Sequence, residues 1–244
     1  MEQVQKGGVV GSKDSAVVGF ERGPIYGKFS IFLLGVIFIT VMPHYSKISS
    51  PSEAVSLNFI VHAALYLGWY ILLSVQCNFV QSGRLNFHRK LGYASIVFFV
   101  LLQVSGIEML IDVMRSNNQF KLSLIWGILH TILFFSAFYL AALIARKDVH
   151  AHKRLMLLAS LSMISASVTR VAYLPGVPID GTALVLLSTY GLLVAPVLMD
   201  RFKFGAVHPV FKWGIPLYIS TQIICIAIMP GTELGKLIAF PFSS

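Results

Sequence analysis

The sequence predicts an all-α integral membrane protein with seven transmembrane helices. Of its 244 residues, 56% are hydrophobic and only 12% are charged, about half the charge of a soluble domain. Mean hydropathy is +0.78. Apolar runs of about twenty residues, enough to cross a bilayer, recur along the whole chain. The net charge of +9 then points to basic loops beside anionic lipid, with no role for nucleic acid.

Residues 1–28 form a polar, Gly-rich tail without the apolar stretch and small-residue cleavage site of a signal peptide. Seven spans follow, at 29–45, 57–80, 88–113, 122–145, 152–174, 182–200 and 211–230. The first is short, and Pro43 is placed to end it. Pro196 and Pro216 fall inside later spans, where neighbouring groups satisfy the freed carbonyls. Residues 231–244 are too short to span and make an external tail. Short connections make consecutive helices antiparallel neighbours. Cys77 and Cys225 lie inside apolar runs and read as small buried residues.

Basic residues set the direction. Lys6, Lys13, Arg22 and Lys28 precede the first span. Arg84, Arg89 and Lys90 join the second to the third, and Arg146, Lys147, Lys153 and Arg154 join the fourth to the fifth. Arg201, Lys203 and Lys212 join the sixth to the seventh. The opposite ends carry fewer, which puts the N-terminus in the cytoplasm and the C-terminus outside.

The second to fifth spans contain an approximate repeat of helix pairs. Each pair has a histidine in the first turns of an inward helix, His62 or His130, followed by a basic loop. A histidine with cations, His88 or His152, then opens the outward helix. If these spans form a four-helix bundle, His62 faces His130 diagonally, roughly 8–12 Å inside the outer boundary at 1.5 Å per residue. His88 faces His152 at the inner boundary. Facing histidines of a bundle are a way to hold haem or metal, and a histidine inside a span tends to face the bundle interior. The plainer reading of the outer pair is hydrogen bonding between helices; quinone or proton handling is another.

Glu108 and Arg170 lie near the outer ends of the third and fifth spans, either as an ion pair or as a proton carrier and an anchor for a haem propionate. Asp112, one turn further out, reads as solvated, and His44 as interfacial. On the inner side His88, His150, His152 and His208 gather with Asp148 and Asp200. They make either an ordinary basic interface or a site for Zn, Fe or Cu built from His88, His152, His208 and Asp200. His150 and His152 are too close in sequence for both to serve one helix face. Trp69 and Trp126 read as packing residues. No phosphate loop, nucleophile elbow, HExxH or c-type haem motif is present.

Taken together, His62, Trp69, Gln76, Gly83-Arg84, His88-Arg89 with Leu91-Gly92, His130, His152 to Met156, Arg170, Asp200 and His208-Pro209 carry a resemblance. Their order over residues 30–214 resembles an uncharacterised family of bacterial seven-span membrane proteins. The resemblance implies a bacterial cytoplasmic membrane and supplies no activity. That family often has His-x-His in its second helix, where this chain has Ile60 before His62, which weakens a tight two-histidine metal site there. The histidine pattern is also similar to cytochrome b561 and, in its HRxxG helices, to haem A synthase, by pattern only.

The leading expectation is a redox protein with b-type haem between His62 and His130, and a second between His88 and His152. It would exchange electrons with quinone or a partner protein. The alternatives are a metal-dependent membrane enzyme acting on lipid at the inner cluster, and a non-enzymatic accessory subunit of a membrane complex. The sequence does not decide whether the chain is an enzyme.

Overall fold

A computed structural model describes residues 25–48, 57–115, 121–165, 167–168 and 181–240. All regular structure among them is helical: α1 (Ile25–Ile48), α2 (Leu57–Gln81), α3 (Leu85–Arg115), α4 (Leu122–Ile144), α5 (Val149–Ser162), α6 (Gly181–Phe204), α7 (Pro209–Ile223) and α8 (Glu233–Ala239). Among the described residues, four helical stretches are long and apolar enough to cross a membrane: Leu57–Gln81, Leu85–Arg115, Leu122–Lys147 and Pro209–Gly231. Their outward faces stay apolar, with Val97, Leu133 and Leu217 among many exposed large side chains. Water would penalise so much uncovered apolar surface, whereas lipid accepts it.

The turns are built by local chemistry. Gly83 adopts a φ of 74°, and the Arg84 N–H bonds the Phe79 carbonyl at 2.8 Å, closing α2 in the left-handed manner that favours glycine. Gly205 (φ 71°) ends α6 similarly. The Asp148 carboxylate caps α5 by accepting from the N–H groups of His150 (2.9 Å) and Ala151 (3.1 Å). These bonds, that from Ala151 foremost, hold its carboxyl below the usual carboxylate range. Pro209 follows the His208 cap of α7, where its missing N–H costs nothing.

Two expected boundaries shift. α1 continues past Pro43 to Ile48; a proline near a helix end removes one of few remaining bonds. The span expected over 152–174 is not one continuous helix, because α5 ends at Ser162 with a turn at Met163. The Ser160 and Ser162 hydroxyls bond back to the Met156 and Ala159 carbonyls, competing with the backbone ladder. Tyrosines take up the exposed carbonyls: Tyr70 donates to Ser160 O (2.7 Å), Tyr66 to Met163 O (2.9 Å) and Tyr218 to Ser162 O (3.1 Å). Interior backbone in lipid must be satisfied in this way.

Helices α2 to α5 meet around an aromatic centre. Trp69 packs edge-on against Phe135 (4.8 Å between centroids) and Tyr139 (5.6 Å), and its Nε1–H donates to Ser160 Oγ at 3.1 Å. Phe99 of α3 stacks on Tyr139 at 4.4 Å. At the other end α8 folds back, with the Trp126 indole N–H donating to Gly235 O at 3.2 Å. A Cβ on Gly235 would overlap the Met229 carbonyl, so glycine is required for this approach. Cys77 and Cys225 are free thiols.

Candidate functional site

The two ends of α2–α5 treat their histidines differently. Near one end, Ser105 donates its hydroxyl to Leu102 O and so accepts from His62 Nδ1 at 3.0 Å, tying α2 to α3. His130, 2% exposed, turns toward α7. Its Nε2 lies 3.0 Å from Thr221 Oγ1, and its ring stacks on Phe134 (4.5 Å) and lies against Tyr218 (4.9 Å). These bonds of His62 and His130 thus run to different helices. Glu108 and Asp112 are exposed on the side of α3. Arg170 and the side chain of His44 lie outside the described residues.

At the opposite end the structure brings His88 and His152 together. Their ring centroids are 6.4 Å apart and their planes cross at 82°. His152 Nδ1 donates to the Ala142 carbonyl at 2.7 Å, which leaves Nε2 as its second nitrogen. His88 Nδ1 meets the Gln76 amide. Oriented by its backbone neighbours, that amide donates to Nδ1 (2.6 Å) and to His88 O (3.1 Å), and accepts from Gly92 N–H (2.9 Å). Gly92, one turn beyond His88, supplies through its backbone N–H the donor that orients this amide. The HRxLG and HKRLM segments meet at this point, with Gln76 completing it.

Asp200 and His208 have other work. The Asp200 carboxylate receives Arg154 Nε (2.7 Å) and Nη2 (2.6 Å), the Tyr26 hydroxyl (2.8 Å) and the His208 backbone N–H (3.1 Å). Arg154 and Asp200 are 2% and 0% exposed. A buried carboxylate carrying a bidentate guanidinium is a structural pair with little left to offer a metal. His208 Nδ1 accepts from Val210 N–H at 3.2 Å to cap α7, and His150 turns to Phe204 (6.5 Å). The inner set of His88, His152, His208 and Asp200 therefore divides into a histidine pair and an ion-pair lock. Among the described residues no three or more His, Cys, Asp or Glu gather as a metal site.

In the sequence Arg154 marks topology and forms part of the motif at 152–156. Its pairing with Asp200, the role of Tyr26 and the contact of Gln76 with His88 are not legible there. A guanidinium at the start of an apolar run should raise the search for a buried partner, because alone it is expensive.

The His208 cap has a pH consequence. Burial, and then the Arg154 charge, lower the imidazole's pKa below its ordinary value, against opposing effects of Asp200 and Asp148. The unfolded chain therefore takes up this proton first as pH falls below about 6.5. The stability contributed is complete above that value and is lost on acidification toward the folded pKa. Thermal unfolding between pH 7 and 5 is expected to show this loss, and His208→Asn, which retains a capping oxygen, should flatten it.

Comparison of the chain with protein-family models, curated proteins and solved structures finds no match.

Proposed function

We propose that the chain is a seven-span redox protein of a bacterial cytoplasmic membrane, with its N-terminus inside, holding one b-type haem between His88 and His152. It would exchange electrons with quinone or a partner protein. The supporting observation is the 6.4 Å between the two ring centroids. A metal–imidazole bond is about 2 Å and the ring centre lies about 1 Å further, so two rings at this separation would be within reach of one metal. The donor set is also suitable. A ligating histidine commonly donates its other N–H to a carbonyl, as His152 does to Ala142 O.

When bound, the haem supplies a one-electron couple. The chain's part is to orient two neutral imidazoles and to keep them from rotating. His152 is already in the required tautomer. His88 carries its proton on Nε2 while Gln76 donates to Nδ1; a haem held through Nε2 would require that proton on Nδ1 instead. The Gln76 amide, having both an oxygen and an NH2 group, would accept from that Nδ1–H by turning over, at the expense of its bonds to His88 O and Gly92 N–H. His62 and His130 serve in this reading as ties between helices.

The test is an oxidised and dithionite-reduced absorption spectrum of full-length protein purified after expression with sufficient haem. A Soret band is expected. It should be lost in His88→Ala and His152→Ala and kept in His62→Ala, while Gln76→Leu should lower haem retention by about 10–100-fold. A protein without a Soret band ends this reading.

A further inference from the structure

The basic end of the protein holds a second cluster, independent of the histidine pair. Lys153 Nζ lies 4.8 Å from the centre of the Tyr26 ring and 5.1 Å from that of Phe204. Lys203 Nζ lies 5.6 Å from the Phe204 centre, and Arg154 Cζ lies 5.2 Å from it. Three cations, from α5 and α6, thus crowd one phenyl ring. The carboxylate in their midst, Asp200, has both oxygens engaged by Arg154 and is further held by Tyr26 and the His208 N–H.

The ring's π-face offsets part of the repulsion, by about 0.5–1 kcal/mol per exposed cation. It does not neutralise the charge. An anion placed between the cations offsets it further, and the surroundings indicate its depth. Phe202 and Trp213, 83% and 78% exposed, flank the cluster in sequence on α6 and α7, and exposed aromatics of this kind anchor at lipid headgroup level. Phe204 itself remains 39% exposed, so the cluster is open at its rim. Basic pockets between helices at the cytoplasmic face suit lipid phosphates.

We propose that Lys153 and Lys203, converging on Phe204 beside the closed Arg154–Asp200 pair, form a phosphate-binding site for the headgroup of an anionic phospholipid. The Arg154–Asp200 lock sets the site's shape, because it fixes α5 against α6 next to both lysines. The phosphate lies between the two ammonium groups, and the acyl chains run along the apolar faces of the helices.

The test uses the full chain in neutral detergent, with binding of phosphatidylglycerol, phosphatidylcholine and inorganic phosphate measured separately. Phosphatidylglycerol is expected to bind about tenfold more tightly than phosphatidylcholine, with inorganic phosphate producing no comparable effect. Lys153→Gln with Lys203→Gln should remove the preference, whereas Lys90→Gln with Lys212→Gln, an equal loss of charge from exposed positions, should keep it. Lys153→Arg with Lys203→Arg should also retain it, which covers the case of a glutamine variant that fails to fold. Equal binding of the two lipids overturns the proposal. So does an equal loss in both glutamine pairs, which would mean diffuse surface charge. Inorganic phosphate binding as well as the lipid would mean a free-anion site. None of these outcomes depends on haem.

Discussion

Asp200→Asn is expected to destabilise the protein by about 3–5 kcal/mol, the cost of stranding one member of a buried ion pair. Arg154 is 2% exposed, and its guanidinium would lose the carboxylate that receives two of its N–H groups at 2.7 and 2.6 Å. The loss reaches beyond one bond. Asp200 also takes the Tyr26 hydroxyl and the His208 N–H, so α1, α5, α6 and the loop before α7 all meet on this carboxylate. Thermal or denaturant unfolding in detergent measures the effect. Removing both charges together, as Arg154→Met with Asp200→Leu, should recover the part of the loss that comes from the stranded charge, while the Tyr26 hydroxyl and the His208 N–H still lose their acceptor. A single variant as stable as the parent would show that the pair is solvated.

Trp69→Ala should cost about 3–5 kcal/mol, the range for emptying a large aromatic site in a packed core. The indole is 1% exposed and fills the space between Phe135 and Tyr139. Its N–H also holds Ser160 Oγ at 3.1 Å, close to the point where α5 ends. Trp69→Phe keeps part of the volume and loses the bond, so its unfolding midpoint should fall between those of the parent and the alanine variant. If the phenylalanine variant were as damaging as alanine, the hydrogen bond at the end of α5 would dominate over packing.

These two sites differ in how far the sequence reveals them. Trp69 lies in an apolar run, and its burial follows from helical packing. Asp200 and Arg154 are 46 positions apart. Read singly, one is a candidate metal ligand and the other a topology marker; the ion pair removes Asp200 from the candidate metal set. The expected diagonal pairing of histidines likewise depends on rotation about each helix axis, which a lack of strong amphipathic pattern leaves undefined in a membrane chain. His88 and His152 do lie together, 6.4 Å apart between ring centroids. His62 and His130 make their hydrogen bonds to α3 and α7. The end of α5 at Ser162 was hidden for a related reason: a Ser-rich stretch can continue a helix or leave it, and the tyrosines of α2 and α7 that donate to its carbonyls are remote in sequence.

The sequence by itself determined the all-helical class, the apolar stretches and most helix positions. Hydropathy, glycine turns and charge distribution act locally and are legible residue by residue. Only the tertiary structure decided which polar side chains share a partner. That choice gave Asp200 to Arg154, set the Gln76 amide on His88, and gathered Lys153 and Lys203 on Phe204. Inside an apolar protein a polar group goes wherever a complementary group lies within reach, and that distance is set by how the helices pack.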